Sequence, residues 1–399
     1  MTSIVLRESG EPVIASLEAE QASRLTASGV VSITYLAPGR FVVTAGSKIG
    51  ACAVGDVVVR IAPKVDIARV FYLLGFGKNF SWRPERISFD VTDDLVAVMA
   101  GAFVSQAERA VEQGLLQGYV ERDDELPVLR GRLRETEQMS RRFGLAVPLL
   151  VRFDDYTADT PENQLLRGAT DRLLTMPTLP SDIRRRLRGL RLVFADIAPL
   201  RRGAPLPTWQ PSRLNARYHD ALWLADVVLR NNSLDHPDGS VRANGFMIDM
   251  AKLFEDFVTA RLSSALRSVG GTVQTQDRRH FLDAGHEITL RPDLVWYSAG
   301  GALRPIAVVD VKYKAEKPAG FPNADVYQAL AYCIALRLPA CHLVYAKGNE
   351  ESVTYTIRNA GVEVIAHTLD LTAMPDQLER QVSAIAREIA ALAAGTSAA

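Results

Sequence analysis

LRPDLVWYSAGGALRPIAVVDVKYK, residues 290–314, is the stretch that decides how this chain is expected to fold. Two apolar runs flank a turn at 298–301, a pattern that predicts a hairpin or two adjacent strands. Each run carries a carboxylate, because Asp293 opens the first and Asp310 ends the apolar part of the second. Lys312 follows two positions later, and the period of a strand places it on the same face as Asp310.

An acid and a lysine on an apolar strand are unfavourable unless they are paired or bind a cation. Asp-x-Lys alone is common as a solvent-exposed ion pair, and this alternative applies to Asp310 and Lys312 taken by themselves. The preceding run, however, begins with Pro292 and Asp293. The combination of the two motifs is typical of a metal-dependent phosphodiesterase site.

Composition limits the class of protein. The chain has 399 residues and a formal net charge of +0. This length suggests two or three domains, and the balanced charge leaves nucleic-acid affinity to local patches or a partner. Three dispersed cysteines give neither a zinc spacing nor a disulfide framework, which suits the cytoplasm. We find no apolar run long enough for a membrane span and expect no secretory signal.

Patterning divides the chain into three predicted domains, with an α+β organisation overall. Residues 1–78 are expected to form a β-rich module for partner contact, and residues 79–240 a mainly helical middle region. Residues 241–399 are expected to form an α/β domain, with the boundary at the polar stretch 233–245. In the first domain we expect strands at 30–35, 40–45 and 57–62 and helices at 17–28 and 68–75. In the second domain we expect a first helix that is capped by Thr92 or Asp93 and ends at Gly118. Further helices are expected at 162–174, from residue 181 and at 212–230, and a strand-like segment at 130–134.

Two helical positions in the last domain are candidate supporting residues. Glu255 lies on a helix predicted over 248–268 and shares a face with Val258 and Leu262, so it either borders the apolar stripe or points at a site. Gln328 lies one turn before Tyr332 on a helix predicted over 325–336. It either orients a phosphate or a water, or is an ordinary surface residue.

Phosphodiester hydrolysis explains these residue types. Mg²⁺ prefers oxygen ligands, which the Asp293 and Asp310 carboxylates, the Val311 carbonyl and Glu255 would supply. A bound Mg²⁺ lowers the pKa of water and polarises the phosphoryl oxygen. Lys312 would place a positive charge near the attacking water or the scissile phosphate.

Other catalytic motifs are missing from the sequence. It has no G-x-x-x-x-G-K-[ST], so we do not expect this chain to hydrolyse a nucleotide through a P-loop. It also has no G-x-S-x-G, H-E-x-x-H or paired C-x-x-C. These absences argue against P-loop, serine hydrolase and zinc chemistry.

The domain over 241–399 resembles the PD-(D/E)xK nuclease superfamily in Pro292-Asp293 and Asp310-Val311-Lys312. The chain as a whole resembles the McrC family, the nuclease subunits of McrBC-type modification-dependent restriction systems. The stretches that carry this resemblance are IAPKVDIARVFYLLGFG (61–77), LRGRL (129–133), ENQLL (162–166), MAKLFEDFV (250–258), RPDLV (291–295), VVDVKYK (308–314) and YQALAY (327–332).

The resemblance implies an Mg²⁺-dependent DNA endonuclease with a restriction-endonuclease-like C-terminal domain. It implies a substrate of double-stranded, 5-methylcytosine-containing DNA and a separate McrB-like AAA+ GTPase hexamer, which the N-terminal part of this chain docks on and stimulates. GTP would be bound by that partner. By the same resemblance Asp293, Asp310 and Lys312 are the catalytic core, with Glu255 and Gln328 in support. Because one active site cuts one strand at a time, we expect two nuclease domains to meet.

One alternative belongs to a different functional class. The chain would then be a regulatory adaptor that activates the AAA+ motor and keeps a nuclease fold to clamp DNA. The intact set of Asp293, Asp310 and Lys312 favours the nuclease, because a degenerate site usually loses one of them. A stand-alone repair or recombination nuclease is disfavoured by the large N-terminal half.

Overall fold

The structure is a computed structural model of the full chain. It describes residues 2–75, 94–142, 147–176, 179–201, 203–231, 233–235, 242–299, 304–313, 322–346 and 352–397. Within these residues, no helix has the length and apolar character needed to cross a membrane.

Helices and strands are mixed throughout the described residues, which confirms the predicted α+β class. The helices are α1 Ala19–Ala27, α2 Ile67–Leu74, α3 Leu95–Val111, α4 Glu135–Arg142, α5 Pro161–Leu174, α6 Ser181–Val193, α7 His219–Arg230, α8 Met250–Val269, α9 Asn323–Leu336 and α10 Pro375–Ser397. The strands are β1 Thr2–Arg7, β2 Val13–Ser16, β3 Val31–Ala37, β4 Arg40–Ala45, β5 Lys48–Val54, β6 Val57–Ala62, β7 Gly118–Leu126, β8 Arg132–Leu133, β9 Leu149–Thr157, β10 Ser233–Asp235, β11 Arg242–Asp249, β12 Thr272–Thr275, β13 Leu294–Tyr297, β14 Pro305–Lys312, β15 Ala340–Ala346, β16 Val353–Ile357 and β17 Val362–Leu369.

The chain forms two compact units, each assembled from separate segments. The described residues of the first lie within Met1–Ser3, Gly50–Val59 and Trp82–Met247, and those of the second within Ile4–Ile49, Arg60–Ser81 and Ile248–Ala399. Every candidate site residue lies in the second unit. The division into three domains at residues 78 and 240 stays a prediction.

The first unit combines helices with a sheet of which the sequence predicted only β8, within the strand-like segment 130–134. Strands are ordered β7-β9-β8, and β7 pairs with β9 from Gly118↔Thr157 to Leu126↔Leu149. Most side chains of β7 are exposed, so the strand lacks the apolar alternation that predicts a strand from sequence. Ion pairs across the sheet, such as Arg152 with Asp123 at 2.7 Å, take the place of apolar pairs.

Two helix boundaries in this unit differ from the prediction. Helix α3 ends at Val111 instead of Gly118, and its N-cap is Asp94, which accepts hydrogen bonds from two backbone N–H groups. The predicted caps Thr92 and Asp93 lie outside the described residues. Helix α7 begins at His219, after a 3-10 turn, although a helix was predicted from 212.

The predicted boundary stretch 233–245 contains strands in its described residues. Strands β10 and β11 pair antiparallel, with Ser233 opposite Asn244. They form the end of a five-stranded sheet ordered β1-β6-β5-β11-β10. Pairing within this sheet overrides the turn-forming composition of the stretch.

The second unit holds a six-stranded sheet ordered β12-β13-β14-β15-β17-β16. Strands β13 and β14 are antiparallel, as predicted for 290–314, while β14, β15 and β17 are parallel. Helix α9 connects β14 to β15, as a parallel pair requires a crossover. The unit also contains a smaller sheet ordered β2-β4-β3.

Helices cover this sheet and anchor the elements of the site. Helix α9 packs on β14, β15 and β17 around a buried cluster that includes Val308, Tyr332 and Leu343. Helices α8 and α10 pack on each other and on β14. Asp249 caps α8 by accepting hydrogen bonds from the next turn, which fixes where this helix begins.

Candidate active site

The antiparallel pairing of β13 and β14 brings the two predicted acids to one end of the sheet. Leu294 pairs with Val309, so Asp293 and Asp310 are the next residues along each strand at this end. Only 8% of Asp293 and 2% of Asp310 is exposed. Carboxylates this buried need specific partners to remain charged.

Asp293 is held by two donors. Its Oδ2 accepts a hydrogen bond of 2.7 Å from the Val311 backbone N–H, and its Oδ1 accepts one of 2.7 Å from Gln276 Nε2. The first bond joins Asp293 to the neighbouring strand immediately after Asp310. The position of this carboxylate is therefore fixed from both sides.

Lys312 provides the positive charge of the site. Its Nζ lies 2.5 Å from Asp310 Oδ2 and donates a 2.8 Å hydrogen bond to Gln328 Oε1. Burial lowers the pKa of Lys312, but the charge and hydrogen bond of Asp310, together with the Asp325 and Asp293 carboxylates, outweigh burial and raise the pKa overall. The predicted pairing of Asp310 and Lys312 on one face is confirmed, and the lysine stays cationic.

Burial has the opposite consequence for Asp310. Desolvation raises the pKa of this carboxyl, and the nearby Asp293 carboxylate raises it further, whereas Lys312 lowers it. Two buried carboxylates with one lysine leave an excess of negative charge. A divalent cation would relieve this excess.

Gln328 connects the lysine to the rest of helix α9. Its Nε2 donates to the Tyr332 hydroxyl at 2.8 Å, and that hydroxyl donates to the Arg291 carbonyl at 3.2 Å. The chain of contacts orients the amide oxygen toward Lys312. Gln328 is exposed and is hydrogen-bonded to Lys312 of the candidate site, while its role in orienting a phosphate or a water stays a prediction.

Glu255 reaches the site through a residue that the sequence analysis missed. Gln276 Nε2 donates to Glu255 Oε1 at 2.5 Å as well as to Asp293. Burial raises the pKa of Glu255, and the Asp293 carboxylate raises it further. Nothing in the local pattern around Gln276 marks it, because its two partners are distant in sequence and are brought together only by the fold.

These residues line one open cleft of about 480 Å³. The cations on it are Lys252, Arg291 and Lys312, and the carboxylates include Glu255, Asp293 and Asp310. Arg291 is exposed beside Asp293, as a contact to a nucleic-acid backbone requires. The cleft combines the buried acids Asp293 and Asp310 with the exposed cations Lys252 and Arg291, which suit a phosphate.

The donor set suits a hard divalent cation. Asp293 and Asp310 offer only oxygen atoms, and Asp310 Oδ2 is buried without a hydrogen bond among the described residues, although it forms the ion pair with Lys312. Oxygen donors of this kind fit Mg²⁺. The described residues hold no group of three or more His, Cys, Asp or Glu side chains already arranged around an ion position. Asp293 and Asp310 lie beside each other at one end of neighbouring strands, whereas Glu255 is connected to Asp293 through the Gln276 amide.

Comparison with known proteins gives the family. A sequence profile described as "McrBC 5-methylcytosine restriction system component" matches residues 43–346, about three quarters of the chain. The chain belongs to the McrBC family. This confirms the family-level prediction made from the sequence motifs. Comparison with curated proteins finds no match.

Two solved structures are similar to this McrBC family member. The first comes from a refined half-complex of a tetradecameric assembly of Thermococcus gammatolerans McrB AAA+ hexamers with bound McrC. It has a TM-score of 0.62 and 18% identity, and the match covers 97% of this chain and 100% of that chain. The second, a cryo-EM structure of the Thermococcus gammatolerans McrBC complex, has a TM-score of 0.42 and 20% identity over 66% of this chain and 88% of that one. The first match shows a shared fold over nearly the whole length.

Proposed function

We propose that this McrBC family member is the nuclease subunit of its restriction system. It would hydrolyse phosphodiester bonds in methylated double-stranded DNA with Mg²⁺, when assembled with an AAA+ GTPase whose GTP hydrolysis it stimulates. The observation that carries the proposal is the ion pair between buried Asp310 and half-buried Lys312, beside the buried Asp293, in an open cleft. A structural ion pair has no need of a second buried carboxylate beside it.

Each side chain of the cleft has a role in such a reaction. Asp293 and Asp310 would hold the cation, with Glu255 and the Val311 carbonyl as further oxygen donors. A bound divalent cation supplies an activated water and polarises the phosphoryl oxygen. Lys312 stabilises the negative charge that develops on the phosphate. Gln328 keeps the Lys312 ammonium in place through its 2.8 Å hydrogen bond.

The proposed partner follows from what the chain lacks and from its relatives. The sequence contains no P-loop motif, so GTP hydrolysis in this system requires another chain. A solved assembly whose match covers 97% of this chain contains McrB AAA+ hexamers with bound McrC. These two observations support an McrC-like role beside an AAA+ partner. Double-strand cleavage would then need two nuclease domains.

The adaptor function has one observation in its favour. All the site residues lie in the second unit, which leaves the whole first unit for other tasks such as contact with the motor. The exposed apolar residues Val128, Leu129 and Met139, around β8 and α4, suit a surface that binds a partner. An adaptor role and a nuclease role can coexist in one chain.

Cleavage of a methylated plasmid with Mg²⁺, GTP and the AAA+ partner tests the proposal. We compare the wild type, Asp310→Asn and a matched control, Asp376→Asn, an exposed acid in the first turn of α10. The wild type and the control should cut, and Asp310→Asn should not. Equal cleavage by all three proteins would remove the catalytic assignment.

The partner's GTPase rate separates the two roles. Asp310→Asn lies in the cleft of the second unit and should still stimulate GTP hydrolysis as the wild type does. If Asp310→Asn loses both cleavage and the stimulation of GTP hydrolysis, this would argue against an activating function independent of the nuclease site. Stimulation with no cleavage by the wild type would favour the adaptor.

A further inference from the structure

Gln276 has an unusual backbone for its residue type. It follows the last residue of β12, and its N–H donates to the Asp293 carbonyl at 3.1 Å. Its φ of 52° lies in the left-handed region, which is unfavourable by about 1–3 kcal/mol for a residue with a Cβ. Such a conformation persists where surrounding contacts hold it in place.

The side chain of Gln276 joins acids from two different elements. Its Nε2 donates to Glu255 Oε1 on α8 at 2.5 Å and to Asp293 Oδ1, just before β13, at 2.7 Å. An amide nitrogen carries two hydrogens, so it can satisfy both carboxylates at once. A neutral donor between two acids reduces their repulsion, as a cation would do more strongly.

We infer that Gln276 is a positioning residue for the cation site: its amide ties Glu255 to Asp293 and so brings the α8 carboxylate within reach of the divalent cation. The inference rests on the proposed nuclease function, which needs that cation. Among the described residues, the Gln276 amide supplies the hydrogen bond to the Glu255 carboxylate, while Lys252 and Arg291 act on this carboxylate only as nearby charges. Gln276 is not itself a ligand in this role, because its nitrogen faces the acids.

A double-mutant cycle on cation binding tests this coupling. Mn²⁺ binding to the full chain is measured by calorimetry without DNA for the wild type, Glu255→Gln, Gln276→Ala and the double variant. Each single change should weaken Mn²⁺ binding about 10-fold, the effect typical of residues that orient a metal ligand. The double variant should bind within about 2-fold of Gln276→Ala, since Glu255 contributes little once its tie is lost.

Two further variants separate the amide from the backbone. Gln276→Gly removes the same side chain and suits the left-handed conformation, so it should weaken Mn²⁺ binding as Gln276→Ala does. Gln274→Ala, at an exposed position on the same strand β12, should bind Mn²⁺ like the wild type. Asp310→Asn should lose most of the binding.

The outcomes distinguish this inference from the function it rests on. Additive effects in the cycle, or Mn²⁺ binding by Gln276→Gly as strong as that of the wild type, would overturn the role of Gln276. The nuclease proposal would still hold in that case if the wild type binds Mn²⁺ and cleaves DNA. No Mn²⁺ binding by the wild type, or equal binding by Asp310→Asn, would overturn the cation site and this inference together.

Discussion

Lys64 holds its ammonium 4.2 Å from the centroid of the Tyr313 ring, and Tyr313 is the residue immediately after Lys312. The Tyr313 ring also lies 5.6 Å from that of Phe254, the residue before Glu255. The backbone N–H of Lys64 donates to the buried Glu8 carboxylate at 3.1 Å. Lys64, which is also bound to Glu8 near the start of the chain, thus contacts the neighbour of Lys312, and that neighbour in turn packs on the residue before Glu255.

We expect Lys64→Met to lower the free energy of unfolding by about 1 kcal/mol, because it removes the cation over the Tyr313 ring. Lys64→Arg keeps a cation and should stay close to the wild type. Thermal unfolding of the three proteins under one buffer condition measures the difference. Equal melting temperatures for Lys64→Met and wild type would show that the contact does not stabilise the fold.

Removal of the Lys312 ammonium should affect stability and cleavage separately. Lys312→Met leaves the Asp310 carboxyl buried without its cation, so we expect the free energy of unfolding to fall by roughly 2 kcal/mol. The fall stays this small because the carboxyl can take up a proton. Cleavage should fall by on the order of 100-fold or more. Urea unfolding and plasmid cleavage measure the two effects.

The double variant Asp310→Asn/Lys312→Met provides the control for this experiment. It removes both charges, so stability should recover while cleavage stays absent. Recovery of cleavage, or a double variant less stable than Lys312→Met, would contradict the assigned roles.

Gly131, within the LRGRL stretch, shows why a local motif can be required by tertiary packing. Its φ is 72°, and a Cβ there would lie 2.2 Å from the Arg152 carbonyl oxygen of β9. We expect Gly131→Ala to destabilise by more than about 3 kcal/mol, because it adds a clash to backbone strain. Gly39, with a φ of 69° and no atom near its Cβ position, isolates the strain, and Gly39→Ala should be unfavourable by about 1 kcal/mol. Melting temperatures that fall equally for both would exclude the clash.

The sequence predicted the elements whose pattern is local. The hairpin of β13 and β14 and helices α8, α9 and α10 follow from apolar periodicity, and Asp310 and Lys312 share a face because strands alternate. Gln328 was found because one helical turn separates it from Tyr332. Short-range geometry was therefore enough to propose most of the candidate site.

What the sequence missed depends on long-range pairing. Strand β7 is mostly exposed and polar, so no apolar alternation marks it, whereas the central strand β9 alternates buried Val151 and Phe153 with exposed side chains. Gln276 is 21 residues from Glu255 and 17 from Asp293, and only the fold makes them neighbours. Residues 4–49 likewise belong to the same unit as residues 248–399. This arrangement depends on long-range contacts, which no local sequence pattern predicts.

A buried histidine pair in the second unit should make the fold sensitive to acid. His342 Nδ1 lies 3.0 Å from His367 Nε2, and each residue is 2% exposed. Burial, with a further contribution from His367, lowers the pKa of His342 to about 3. Burial also lowers the pKa of His367, although Glu388, 3.7 Å away, opposes this.

Because the folded-state pKa of His342 lies below that of the unfolded chain, the unfolded chain takes up protons first as the pH falls. The stabilisation is present above about pH 6.5 and is lost progressively toward about pH 3. Between pH 7.5 and pH 5 we expect His342 alone to account for a loss of about 2 kcal/mol. His342→Gln should lose correspondingly less stability over this interval, whereas His286→Gln, an exposed control, should behave like the wild type. Urea unfolding at the two pH values measures this, and an equal loss for the wild type and His342→Gln would show that the pair is not the acid-sensitive element.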